Sequence, residues 1–122
     1  MKKERLLEDL EEYSKLEENW DGYGGYVIHK NAILNSSIFI KRFYDNTEYL
    51  SPCPSGELFF ELIPIDSQSH FVILINEDSF SWAFILNPDI EKSIEIHNIP
   101  MDFNEIEKLV KEYSILSNNL TK

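Results

Sequence analysis

The segment from Asn19 to Tyr26 contains the residues whose types and spacing could best support chemistry. Two side chains with amide or carboxylate oxygens, three aromatic rings and three glycines occur within eight residues. Asn19 and Asp21 can accept hydrogen bonds from nearby backbone amides, as Asx turns do, and the glycines permit positive φ. The rings of Trp20, Tyr23 and Tyr26 can either fix the loop to the domain or wall a binding site. The segment therefore predicts either a structural corner between helices or a loop that binds a ligand or partner.

Glu61 is the one acidic side chain in an apolar run, Leu58–Ile63. A carboxylate in such a run needs a charge partner, a hydrogen bond or access to a cleft. A backbone amide of the glycine loop is one predicted partner. Two interpretations are open: an acid that contacts a ligand, or an outward-facing acid beside the sheet edge. In the first, Trp82 and the aromatic loop residues would wall a small-molecule pocket, and Asp21 or Glu61 would supply its polar contact.

The remaining chemistry-bearing residues do not form a recognisable catalytic or metal-binding pattern. Cys53 lies between two prolines with no base suggested nearby, which favours a packed, inert thiol. His29, His70 and His97 are isolated in sequence, whereas metal sites need closely spaced ligands. The glycine spacing also departs from that of dinucleotide-binding loops and P-loops. We therefore predict no catalytic centre, no metal site and no cofactor, and a protein that is not an enzyme.

The charge balance narrows the classes of partner. The formal net charge is −11, from 22 acidic and 11 basic residues. A chain this acidic repels nucleic acid phosphates and anionic lipid. We therefore expect neither direct nucleic-acid binding nor membrane binding. A basic protein partner would be attracted, although the same charge could serve solubility alone.

Three features predict a cytoplasmic protein. Cys53 is the single cysteine, so no internal disulfide is possible and a reducing compartment fits. The basic N-terminus lacks the apolar segment of a signal peptide. No apolar run approaches the roughly 20 residues that cross a bilayer.

Hydrophobic periodicity positions these residues in one α+β domain over 1–122. It predicts two N-terminal helices, a four-stranded antiparallel meander and a C-terminal helix. Asp102 and Glu105 form a predicted capping box at the start of the last helix. The segment Ser51–Gly56, with two prolines, is expected to be an extended linker. The predicted boundaries are 3–18 and 30–46 for the first helices, 57–86 for three strands, 93–97 for the fourth strand and 102–118 for the last helix.

Both faces of the predicted sheet are largely apolar. Phe60 and Leu62 alternate with Phe59 and Glu61, and the next strands show apolar residues at both phases. A sheet with one wet face would show a clearer alternation. Helices therefore cover both faces, or they cover one and a second subunit covers the other, which makes a homodimer one prediction.

The chain resembles a family of small, largely uncharacterised bacterial and mobile-element proteins that share an Asn-Trp-Asp-Gly-Tyr-Gly motif, here residues 19–24. In that family the motif follows a helix and precedes another helix, a Pro-x-Pro segment and a strand. Matching features are Pro52-Cys53-Pro54, Gly56, Leu58, Phe60 and Glu61. The chain departs from the family at Gly25, where alanine is common, and at Leu62, where tryptophan is common. The resemblance covers roughly 5–86 and implies an order of elements, but no activity.

Two functions are predicted from these features. The first is a small acidic protein-binding module, such as an inhibitor, antitoxin or immunity-type (anti-defence) protein, that occupies a partner through its acidic helix or its glycine–aromatic loop. The alternative is a protein that binds or sequesters a small, nucleotide-like ligand at that loop. The residues expected to contact the partner or ligand are Asn19, Trp20, Asp21, Tyr23, Tyr26, Glu61 and Trp82.

Overall fold

The computed structural model describes residues 1–86 and 90–115, which form an α+β fold with three helices and one antiparallel sheet. This confirms the predicted class and the positions of the helices before and after the sheet. The number of strands was wrong, because the sheet has five strands in the order β1-β2-β3-β4-β5. The elements are α1 (Lys2–Tyr13), α2 (Lys30–Phe43), β1 (Thr47–Pro52), β2 (Leu58–Leu62), β3 (His70–Ile75), β4 (Ser79–Ile85), β5 (Ile94–Pro100) and α3 (Phe103–Tyr113), with short 3-10 turns at Tyr44–Asn46 and Ile90–Lys92.

The strand that the sequence prediction missed is β1. It pairs antiparallel with β2, so that Leu50 lies opposite Phe60. The predicted linker therefore divides into the end of a strand and a tight turn, in which the Gly56 amide donates to the Cys53 carbonyl. Pro52 is tolerated because it is the last residue of an edge strand. Gly56 adopts φ +96°, and a Cβ there would lie 2.8 Å from the His29 ring, so this turn requires glycine.

The helices pack on one face of the sheet, where the hydrophobic core lies. Phe39 and Ile40 of α2 are fully buried there, as are Ile106 and Val110 of α3. The rings of Phe39 and Phe60 are 4.4 Å apart. The inward side chains of the three central strands alternate along each strand, as the sequence predicted, and they are Leu58, Phe60, Leu62, Phe71, Ile73, Ile75, Phe80, Trp82 and Phe84.

Helix α1 is shorter than predicted, ending at Tyr13 instead of residue 18. The Ser14 hydroxyl donates to the Glu11 carbonyl at 2.6 Å, which offers the backbone an alternative to helix continuation. The last turn contains no basic residue to complement the helix dipole. Leu6 and Leu10 are buried as the apolar stripe predicted.

Helix α3 begins as predicted but ends earlier. Asp102 caps it by accepting from the Asn104 amide at 2.9 Å, not from the amide of Glu105 as the capping box required. After Tyr113 the chain becomes extended and pairs with the segment after β2, where the Ile115 amide donates to the Ile63 carbonyl. The predicted end at Asn118 lies outside the described residues.

Strand β5 runs from Ile94 to Pro100, which extends the predicted fourth strand (93–97) by three residues. A register shift between Phe80 and Trp82 interrupts its pairing with β4. Asn98 has φ +56° beside this shift, and its amide donates to the Ser81 hydroxyl at 3.0 Å. Such bulges increase the local twist of an edge.

Candidate functional site: the glycine loop and the open face of the sheet

Asn19 closes the glycine loop by hydrogen bonds across its base. Its amide donates to the Gly25 carbonyl at 2.7 Å, and its carbonyl accepts from Gly22 at 3.0 Å. The side-chain oxygen accepts from the Gly24 amide at 2.6 Å. Asn19 itself has φ +64°, a region that asparagine tolerates better than most residues. Asn19 is therefore used by the loop itself.

Asp21 makes the second set of loop hydrogen bonds. Its Oδ1 accepts from the Tyr23 amide at 2.9 Å and from the Gly25 amide at 2.8 Å. These two backbone donors hold the pKa of the Asp21 carboxyl below its usual value. An Asx turn of this kind was one of the predicted roles of Asp21.

The aromatic residues of the loop divide into one anchor and two exposed rings. The Trp20 indole donates to the Tyr26 carbonyl at 2.8 Å, and the Tyr26 amide donates to the Pro54 carbonyl at 2.8 Å. The first bond lies within the loop, and the second attaches the loop to the β1–β2 turn. The Tyr23 side chain is 93% exposed and Tyr26 is 64% exposed, so both rings are available to another molecule.

The structure separates Trp82 and Glu61 from this loop. Trp82 lies in the core, where its ring is 5.3 Å from that of Tyr113. The Glu61 carboxylate lies 3.3 Å from Nδ1 of His70, on the neighbouring strand, and this contact replaces the predicted contact with a loop amide. Trp82, Glu61 and the glycine loop therefore do not line one common pocket, as had been predicted.

Glu61 instead belongs to the face of the sheet opposite the helices. Strand register places Tyr49, Glu61, Val72, Ala83 and Glu95 in one row across all five strands. Directly paired residues share a face, so this row and its neighbours form one surface. We call this surface the open face and define it by Tyr49, Phe59, Glu61, Val72, Leu74, Ala83, Ile85 and Glu95.

The centre of the open face is apolar, and no helix in the described part of the chain packs on it. Phe59, Val72, Leu74 and Ile85 are partly exposed and lie outside the core cluster. Tyr49 is 54% exposed and its ring contacts Phe59 edge-on at 6.4 Å. The sequence predicted the apolar character of this face, but not the contribution of Tyr49, because no strand was predicted before residue 57.

A cavity of about 290 Å³ lies beside Glu61, next to the open face. Its polar lining includes Glu48, Ser69 and His70 besides Glu61, and Ser67 completes the polar side. The bulge between Thr47 and Tyr49 is the reason that Glu48 reaches it, since Glu48 is the extra residue there. Glu48 and Ser69 were not among the predicted site residues, because neither lies in a recognisable motif. The apolar lining is formed by Ile63, Pro64 and Ile115.

Cys53 shows no sign of nucleophilic activation. Burial, with a smaller contribution from Glu57, raises the pKa of its thiol to about 11. At neutral pH the thiol is therefore protonated and weakly reactive. Within residues 1–86 and 90–115, no group of three or more His, Cys, Asp or Glu side chains is arranged to hold a metal ion.

Comparisons with protein-family models, curated proteins and solved structures gave no match to this chain. The resemblance carried by the Asn-Trp-Asp-Gly-Tyr-Gly motif therefore stays a prediction. Over the same described ranges, none of the helices is long and apolar enough to cross a membrane.

Proposed function

We propose that this protein is a small acidic protein-binding module that occupies a basic partner protein through the open face. In this role it acts as an inhibitor, antitoxin or immunity-type protein, without chemistry of its own. The observation that carries the proposal is an apolar sheet face that no described helix covers.

The apolar character of the open face supports protein binding more than solubility. Phe59, Val72, Leu74 and Ile85 lie on adjacent strands and form a contiguous surface. Soluble monomers rarely expose contiguous apolar patches beyond a few hundred Å², and larger ones mark interaction sites. The Tyr49 ring adds the kind of aromatic contact that interfaces favour.

The negative charge on and around the open face favours a basic partner. Glu61 and Glu95 lie in the same row as Val72 and Ala83, so carboxylates flank the apolar centre. The chain as a whole carries a net charge of −11, which accelerates encounter with a basic protein. Face-to-face pairing of two copies would bring four such carboxylates into one interface, against this electrostatic balance. A basic partner is therefore favoured over a homodimer.

The small-ligand alternative remains a prediction with less support. Asn19, Trp20 and Asp21 are engaged in hydrogen bonds that hold the glycine loop together. Tyr23 and Tyr26 stay exposed at its surface and suit a second contact with a protein partner.

The test compares capture of proteins by the wild type and by Leu74→Asp from a lysate of the organism that encodes the chain. A charge at the centre of the open face should abolish capture of a basic protein, because the carboxylate must be desolvated on binding. The matched control is Leu34→Asp, which places the same charge on an exposed apolar position of α2. It should capture the partner as the wild type does.

Circular dichroism must show that both variants fold, and Ile85→Asp serves as a second open-face variant. Equal capture by wild type, Leu74→Asp and Ile85→Asp would overturn the proposal. Sedimentation velocity of the purified wild type provides the other decisive result. A dimer that Leu74→Asp converts to a monomer would assign the open face to a second copy of the chain.

A further inference from the structure

We propose that two copies of this chain pair antiparallel along β5, edge to edge, with Ile96 of each copy at the two-fold axis. The inference goes beyond the proposed function, because this pairing leaves the open face of both copies free for a partner.

Strand β5 is the more exposed of the two edges of the sheet. It is the last strand in the sheet order, and every residue from 94 to 98 is exposed. At the other edge, the Tyr13 hydroxyl of α1 donates to the Leu50 carbonyl of β1 at 3.3 Å. An exposed edge strand offers unpaired backbone groups to another strand, so β5 is the edge that is open to pairing.

The hydrogen-bond pattern shows which backbone groups of β5 point outward. The Asn76 amide donates to the Ser79 carbonyl at 2.9 Å, so the backbone groups of Ser79 face β3. This direction alternates along a strand, so the backbone groups of Trp82 face β5, where Trp82 pairs with Ile96. The backbone groups of Ile96 are therefore used within the sheet, and those of its neighbour Glu95 point outward.

The outward groups favour one register of pairing. By the same alternation, the backbone groups of His97 point outward, and a ladder between two copies needs outward residues opposite each other. Glu95 opposite Glu95 would place like charges together, which is destabilising. His97 opposite His97 would extend the pairing into the register shift that follows this residue. Glu95 opposite His97 avoids both faults and places Ile96 opposite Ile96.

Side chains on both sides of the sheet are complementary in this register. Within one copy, Nε2 of His97 lies 3.0 Å from Oε1 of Glu95. Pairing would bring the same two groups of a second copy opposite them, so that carboxylates and imidazoles alternate around the axis. An imidazole can donate to a carboxylate in either protonation state. On the other side of the sheet, the Ile96 side chains, each 42% exposed, would cover each other.

The second half of β5 limits the extent of the pairing. The register shift makes a bulge after His97, and Pro100 has no amide to donate; both features protect an edge. The paired segment is therefore short, and a weak dimer is expected, with a dissociation constant on the order of 10–100 µM. The net charge of −11 per copy opposes association, but physiological salt screens charges that are more than about 8 Å apart.

The experiment is disulfide trapping of the full-length chain in a Cys53→Ser background. Ile96→Cys would place two cysteines at a non-hydrogen-bonded pair with Cα atoms about 4.5 Å apart, which a disulfide can span. Ile94→Cys is the matched control, because Ile94 is 37% exposed on the same side of the strand. Its two copies would lie roughly 14 Å apart. Mild oxidation should cross-link Ile96→Cys and leave Ile94→Cys monomeric.

Charge variants test the register by sedimentation equilibrium. His97→Glu should weaken association about tenfold or more, because acids would then lie opposite acids at two places. Combining it with Glu95→Arg exchanges the two charges and should restore association. Leu34→Asp adds the same net charge on α2 and should leave the dimer intact. Circular dichroism checks that each variant is folded.

Several results would overturn the inference. These are a wild type that stays monomeric at about 1 mM, equal cross-linking of Ile94→Cys and Ile96→Cys, or association that His97→Glu does not change. Leu74→Asp should keep the dimer, since Leu74 lies on β3 and not at the edge. Loss of partner capture by Leu74→Asp with no cross-link at position 96 would leave the proposed function standing and refute the pairing. The reverse pair of results would support the pairing and refute the proposed interface.

Discussion

Ile73 and Leu74 are consecutive residues of β3 that point to opposite faces, so alanine at each tests whether the open face is covered. Ile73 is fully buried in the core, whereas Leu74 is partly exposed on the open face. Ile73→Ala removes three buried carbons, about 2.4 kcal/mol at about 0.8 kcal/mol each, and leaves a cavity, so about 3–4 kcal/mol is expected.

Leu74→Ala removes the same number of carbons from a surface that water already contacts. It leaves no closed cavity, and a loss of about 1 kcal/mol is expected from the reduced partial burial. With roughly 4 °C per kcal/mol for a domain of this size, the melting temperature should fall by about 12–16 °C for Ile73→Ala and by about 4 °C for Leu74→Ala.

Thermal unfolding by circular dichroism, with urea unfolding as a second measure, gives both values. Equal losses for the two variants would contradict an uncovered face, because Leu74 would then be as buried in solution as Ile73. A loss for Leu74→Ala that shrinks as the protein is diluted would likewise contradict an uncovered face, since it would indicate a self-associated state.

Three further predictions concern single side chains. Asp102→Ala should cost about 1 kcal/mol in urea unfolding, because the α3 N-cap bond to Asn104 is lost, and Asp102→Asn should retain most of it. Cys53 should react with iodoacetamide at neutral pH on the order of 10- to 100-fold more slowly when folded than in urea, since burial raises the pKa of its thiol to about 11; equal rates would contradict the buried environment. The pKa of Asp21 is lowered from 3.8, so its contribution to stability is present above that pH and is lost as pH falls through the folded pKa. Asp21→Asn should therefore flatten the acid limb of the pH–stability curve, and an unchanged limb would argue against the backbone hydrogen bonds of the loop.

The two sets of side chains on the central strands could be predicted from the period of two, but which set is buried could not, because both sets are largely apolar. Phe60, Ile73 and Phe84 lie at the same phase of their strands, and all are buried. Strand β1 could not be identified in the same way, since an edge strand with prolines at its end gives a weak pattern. The bulge at Glu48 further interrupts its alternation.

The sequence predicted that the candidate site includes an apolar sheet face, but it did not predict which polar side chains lie beside that face. Local hydrogen bonding of Asn19 and Asp21 follows from residue type and short spacing. The contact between Glu61 and His70 depends on strand register, which a sequence does not reveal on its own. The same limit explains why Glu61 and Trp82 were grouped, although adjacent phases place them on opposite faces.

The most direct test of the open face is photo-crosslinking in the organism that encodes the chain. A benzophenone amino acid replaces Phe59 on the open face or, as a control, Ile38 on the exposed surface of α2. We predict that a basic protein is crosslinked from position 59 and is not crosslinked from position 38. Crosslinks from position 59 to a second copy of the chain, or to the partner from position 38 alone, would contradict it.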